Sequence, residues 1–319
     1  MIVRFAIQYL IPLLILLPVD VQGQTCSCAG APLISSQSIS SASEGNFLVG
    51  LTYEYNQISN LYAGDNQLIN RSVKRNTQSS LLEINYGITD RLTISGTATY
   101  VQKTRTGLQK SEAQLITRGI SDGLLILKYV LHQNTIHKQY QLAVGGGAKI
   151  PFGQSSLTDH DGIALNMDMQ PGTGAWDGVV WSYFSKTFLP VSTINFFAYS
   201  TFRATGSTDR FGSDDKYEFG NEWVVKAGVS DDFLPRLSYV GMISYRSTSS
   251  DQRNGHKLPN TGGKWFNLEP TLRYSLTPGL SVKASGKIPI YQYLNGFQPT
   301  TTYTVSLSLF YNFGKRVIF

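Results

Sequence analysis

Residues 302–313 read TYTVSLSLFYNF, and their alternation decides the fold. Tyr303, Val305, Leu307, Leu309, Tyr311 and Phe313 fall on one face of an extended strand, and Thr302, Thr304, Ser306 and Ser308 on the other. Successive strand side chains point to opposite faces, so one face is greasy and one is polar. The preceding segment repeats this: Leu280, Val282, Ala284, Gly286 and Ile288 oppose Ser281, Lys283, Ser285 and Lys287. So does an earlier one, where Leu92, Ile94, Gly96, Ala98 and Tyr100 oppose Thr93, Ser95, Thr97 and Thr99. The same period recurs near 47–56, 79–88, 122–131, 139–150, 176–187, 193–203, 217–229, 236–246 and 265–274. That predicts about twelve strands, most of roughly 10–13 residues. Globular strands average about 5–6 residues, whereas strands that cross a bilayer need about 9–11.

The connections alternate as well. Long gaps at 57–78, 104–118, 151–175, 204–216, 247–264 and 291–300 take turns with short ones such as 89–90, 132–138, 189–192, 230–235 and 275–279. Outer-membrane barrels have this asymmetry, with short periplasmic turns and longer extracellular loops. The expected fold is therefore all-β: a transmembrane antiparallel β-barrel from residue 46 to residue 319, with both termini on the periplasmic side. Composition agrees. Charged residues are 15% of the 319, aromatics are 12%, and Cys occurs twice. Average globular chains carry about 25% charge. The aromatic content excludes a disordered chain, and two cysteines exclude a disulfide scaffold. A mean hydropathy of −0.12 argues against a bundle of membrane helices. Tyr53, Tyr55, Tyr86, Tyr100, Tyr129, Trp181, Tyr183, Trp223, Tyr245, Tyr274 and Tyr303 lie near strand ends and are read as two interfacial girdles.

The N-terminus reads as an address. Arg4, the apolar run 7–17 and Val21-Gln22-Gly23 make residues 1–23 a secretory signal peptide. The run is too short, and too interrupted by Pro12 and Pro18, for a helical anchor. Residues 24–45 read as a Ser-rich periplasmic leader. Within it Cys26 and Cys28 are weak candidates for a soft metal such as Cu(I), and the sequence before Cys26 is a poor lipidation signal. No cofactor is expected.

If one parity faces lipid, the other faces the lumen. That parity collects Glu83, Lys128, Lys149 and Lys186 from the first half of the barrel. From the second half it collects Arg203, Glu218, Glu222, Lys226, Arg246, Glu269, Arg273, Lys283 and Lys287. A mid-membrane charge facing lipid costs roughly 2–4 kcal/mol, so this segregation is required. Cations outnumber carboxylates, which reads either as a weakly anion-favouring water path or as charges that pair and brace a narrow lumen. Enzyme signals are poor, and no enzyme is expected. His132, His137, His160 and His256 all fall in predicted turns or loops, so no strand supplies the His of a serine hydrolase. Asp159-His160-Asp161 reads as a polar loop, and Gly145-Gly146-Gly147 lacks the spacing of a phosphate loop. The dispersed basic charge does not indicate nucleic acid.

Three segments carry a resemblance. They are Gly119–Leu131 (GISDGLLILKYVL), Leu142–Gln154 (LAVGGGAKIPFGQ) and Pro171–Phe188 (PGTGAWDGVVWSYFSKTF). Together they resemble the outer-membrane transporter family named for the meta-pathway of phenol degradation. The resemblance implies a channel for small solutes of hydrophobic or aromatic type, in the outer membrane of a Gram-negative bacterium. The alternative is a closed structural or surface-binding barrel. Expected partners are the lipid bilayer, a small-molecule solute, and the insertion machinery, through a last strand ending in Phe319. In the long third loop, Leu165, Met167 and Met169 are read as an inward-folding gate, because methionine adapts to irregular apolar ligands.

Overall fold

The computed structural model describes residues 42–69, 74–106, 114–133, 139–188, 194–209 and 216–314. Residues 1–23, expected to be a signal peptide, and Cys26, Cys28 and Phe319 lie outside the described residues. The wall is one antiparallel sheet closed on itself. Its strands are β1 (Phe47–Gly64), β2 (Lys74–Gly87), β3 (Leu92–Thr106), β4 in two pieces (Leu115–Ile120 and Gly123–His132), β5 (Tyr140–Ile150) and β6 (Asp177–Thr187). They continue with β7 (Asn195–Thr205), β8 (Glu222–Leu234), β9 (Leu237–Thr248) and β10 (Gly263–Ser275). The last extended stretch, Leu280–Phe313, crosses twice. Its first half, β11, pairs with β10, and its second half, β12, pairs with β1 from Phe47↔Phe313 upward, which closes the ring. The ring thus has eleven continuous elements and twelve crossings. Gly296, at φ 69°, makes the reversal between β11 and β12 without Cβ strain.

Sequence neighbours are sheet neighbours throughout, as an up-and-down barrel requires. The alternation places large apolar side chains on the outer surface, where lipid takes the place of a core. Leu51, Leu125, Leu127, Val180, Ile243, Leu272, Val305 and Leu307 are all exposed there. The outward aromatics include Tyr53, Tyr100, Tyr129, Trp223, Tyr274 and Tyr303. Trp181 and Tyr183 do not join them. They are 1% and 9% exposed and point inward with Asp177 and Val179, while Val180, Phe184 and Lys186 point outward. Both faces of β6 are apolar, so hydrophobicity alone does not distinguish them, and the expected parity of this strand is reversed.

Gly147 explains the glycine run in β5. A Cβ there would sit 1.9 Å from the carbonyl oxygen of Leu125, so only glycine allows β5 to approach β4 this closely. At the periplasmic end the chain enters against the inner wall: Thr93 Oγ1 donates to the Ala42 carbonyl at 3.3 Å, and Ala42 is buried.

Candidate functional site

The inward parity builds a lumen in three levels. At the level nearest the loops, charges alternate from strand to strand. Lys149 Nζ lies 3.3 Å from Asp122 and 2.8 Å from Asp177. Arg203 bridges Asp177 at 3.2 Å and Glu222 at 2.8 Å, and Arg246 Nε reaches Glu222 at 2.6 Å. Three cations thus meet three carboxylates, and the belt is neutral. Buried charges hold together in this way only when each is paired and hydrogen-bonded. Glu83 receives an amide hydrogen bond from Asn85 at 2.9 Å, and Lys128 lies over the Trp181 ring, 5.3 Å from its centroid.

The middle and periplasmic levels form a cavity of about 310 Å³. One part of its wall is apolar and aromatic, with Tyr183, Phe197 and Tyr199 buried and Val240 and Met242 packed against them. The other part is charged and carries Lys226, Glu269, Arg273, Lys283, Lys287 and Glu54. Lys226 and Glu269 pair at 2.8 Å. Of the residues expected in the lumen, two are elsewhere. Lys186 faces outward near the periplasmic end, its ammonium 5.1 Å from the Phe188 ring, where a long side chain reaches the headgroup level. Glu218 lies in a small loop sheet beyond the wall. Sequence reading missed Glu54, Arg75, Lys103, Asp122, Asp168 and Asp177. Glu54 shares the parity of Thr52 and was legible. The others sit at strand ends or in loops, where alternation gives no signal.

The extracellular end is roofed. Loop 151–176 folds inward and is fastened to β2, β3 and β4. Arg75 binds Asp168 at 2.6 Å, and Lys103 Nζ donates to the carbonyls of Asp168 at 3.0 Å and Gln170 at 2.6 Å. Thr117 Oγ1 donates to the Met169 carbonyl at 2.6 Å. Met169 is buried and Leu165 is half-buried. Met167 packs on Tyr217 and Phe219 with Leu258, across the mouth. Tyr217 belongs to, and Phe219 and Leu258 directly follow strands of, a four-stranded sheet (207–208, 217–218, 252–253, 256–257) made by the two neighbouring loops. Asp251 holds it together, accepting from the Tyr217 hydroxyl at 2.6 Å and the Gly220 N–H at 2.8 Å. Burial raises the Asp251 carboxyl above its ordinary range, against those two hydrogen bonds. Burial and the neighbouring Asp251 likewise raise the Tyr217 phenol.

The pairing of the wall is interrupted beside the cavity. The β10–β11 ladder pairs Leu268 with Ile288 and resumes at Thr271 with Ser285, leaving Glu269 and Pro270 without partners on β11, although both pair with β9. Pro270 has no N–H to give. Facing lipid at this level are Gly241, Pro270 and Gly286, with Val240, Thr271, Ser285 and Ser306 behind them. The outer surface here is a groove of about 830 Å³ bordered by Tyr53, Tyr239, Leu272, Val305 and Leu307.

Residues 116–292 match the family described as "Putative MetA-pathway of phenol degradation". The chain belongs to this family. Among solved structures it is similar to the COG4313 outer membrane channel from Pseudomonas putida F1, at 15% identity and a TM-score of 0.70, over 87% of this chain and 99% of that one. Weaker similarities, each at a TM-score of 0.47, are to the β domain of the Bordetella autotransporter BrkA (12% identity, 85% of this chain, 100% of that one) and to the TodX monoaromatic hydrocarbon channel (10% identity, 92% and 96%). No curated protein matches the sequence. As a member of the phenol-degradation family with this fold, the chain is an outer-membrane β-barrel of the Gram-negative type.

Proposed function

We propose that this barrel passes small hydrophobic solutes across the outer membrane by a route that leaves the lumen sideways, into the bilayer. No chemistry is performed on the solute. One observation carries the reading: a loop is fastened across the mouth, while beside the inner cavity the β10–β11 ladder is interrupted and the lipid side is greasy. The apolar inner wall supports it too. Leu124, Ile126, Val179, Trp181 and Phe197 are buried facing inward, a poor lining for a path meant for water and ions. The family membership and the likeness to the Pseudomonas putida channel point the same way.

The neutral ion-pair belt favours a second reading, a braced barrel that passes nothing. The two are separated by tethering the seam. In a Cys26→Ser/Cys28→Ser background, Pro270→Cys/Gly286→Cys places a cystine across the unpaired ladder. Oxidised, this variant is expected to lose uptake of radiolabelled toluene by whole cells, and a reductant is expected to restore it. Undiminished uptake through the tethered wall would exclude the lateral route. No wild-type uptake above an empty-vector strain would leave the braced barrel.

A further inference from the structure

We infer that the inner cavity selects an amphiphilic monoanion: a carboxylate carried on a compact apolar or aromatic body. The inference rests on the transport reading above and names the solute class. Its basis is the division of the cavity wall. Between β7 and β8 the ladder aligns Tyr199 with Lys226, and across β9, β10 and β11 it aligns Met242 with Glu269 and Arg273 with Lys283. Apolar and cationic side chains therefore stand at the same depth on neighbouring strands. Tyr183, Phe197, Tyr199, Val240 and Met242 make a greasy half-wall, and Arg273, Lys283 and Lys287 make a cationic one.

The charges do not cancel here as they do in the belt above. Four cations (Lys226, Arg273, Lys283, Lys287) meet two carboxylates (Glu54, Glu269), which leaves the cavity at +2. Lys226 and Glu269 are committed to each other. Among the described residues, Arg273, Lys283, Lys287 and Glu54 make no ion pair within bonding distance. Lys283 stands over the Phe310 ring, 5.5 Å from its centroid. Cations held beside apolar surface and short of partners attract an anion more strongly than the same charges in water. A neutral hydrocarbon would use only the greasy half, and an inorganic anion only the other. A ligand with both parts uses the whole wall, and a cavity of about 310 Å³ is at the small end of the range for small-molecule sites.

The test uses three probes with the same ring: benzoate, benzyl alcohol and benzylammonium. Binding to the purified mature protein in lipid nanodiscs is measured by calorimetry. Benzoate is expected to bind about tenfold more tightly than benzyl alcohol, a difference of roughly 1.4 kcal/mol, with benzylammonium weakest. Lys283→Gln/Lys287→Gln is expected to close the gap between benzoate and the alcohol, and Glu54→Gln to widen it. If the double variant loses heat-modifiable migration, Arg273→Gln replaces it and should narrow the gap several-fold. Equal affinity of wild type for benzoate and benzyl alcohol overturns the charge preference and leaves hydrophobic transport standing. A gap that survives removal of the cations overturns it as well. Absence of binding by all three, together with absence of toluene uptake, removes the transport reading itself.

Discussion

Ser306 and Leu307 are adjacent in sequence and lie on opposite sides of the barrel wall. Leu307 is 57% exposed on the lipid face. Ser306 lines the cavity and shares a hydrogen bond with Ser285 at 2.7 Å. An arginine at 307 meets lipid near the middle of the span and costs roughly 2–4 kcal/mol. At 306 it meets water and polar side chains. Leu307→Arg is therefore expected to reduce the folded, heat-modifiable fraction on gels severely, and Ser306→Arg only slightly. Equal folding of the two would mean the parity of β12 is reversed. The same logic applies to the belt. Lys149→Met leaves Asp122 buried at 0% exposure with no cation within bonding distance. Removing one partner of a buried pair costs about 3–5 kcal/mol, so the urea midpoint of refolded protein should fall clearly. Residues of this kind were readable in advance wherever a strand is polar on one face. They were misread in β6, where Lys186 was the one charge in view and Asp177 sat at the strand's edge.

At the scale of elements, loop 151–176 and the small sheet it meets are held by few contacts, each of them specific. Trimming Asp159–Met169 removes Asp168 from Arg75 and removes Met167 from Tyr217 and Phe219. Ion conductance in planar bilayers is expected to rise. An unchanged conductance would mean that the constriction lies deeper, at the belt. Asp251 gives the roof a pH dependence. Its carboxyl titrates above its unfolded value, so the folded roof holds the proton more tightly than the unfolded chain does. That contribution is complete below the ordinary carboxylate range and is lost as pH rises through the raised value. Backbone amides of 217–221 and 251–258 should exchange more slowly at mildly acidic pH than at neutral pH, after correction for intrinsic rates. Asp251→Asn should abolish the difference; its one amide oxygen can still accept from the Gly220 N–H, and its NH2 can donate to the Tyr217 oxygen. The roof was only partly visible in the sequence. The apolar content of the loop was plain, but its partners lie 93 residues away at Arg75 and, at Tyr217, in a different loop.

For the whole molecule, closure matters most. β1 and β12 pair along nearly their full length, so the wall is complete without any residue before Phe47. Removing residues 24–41 while keeping residues 1–23 is expected to leave an inserted, heat-modifiable barrel. Failure to insert would show that the leader takes part in assembly. Alternation and loop lengths determined the class of fold, the number of crossings, the outward surface and most of the inward charges. They do so because a strand's two faces differ by one residue and a bilayer penalises every error. The tertiary structure decided the rest: which inward charges cancel, where the wall is unladdered, and how the loops close the mouth. Those features depend on which strands and loops become neighbours. Lys149 and Lys287 look alike in sequence, but one faces two aspartates and the other faces an open cavity. Distance across the barrel makes that difference, and no local pattern records it.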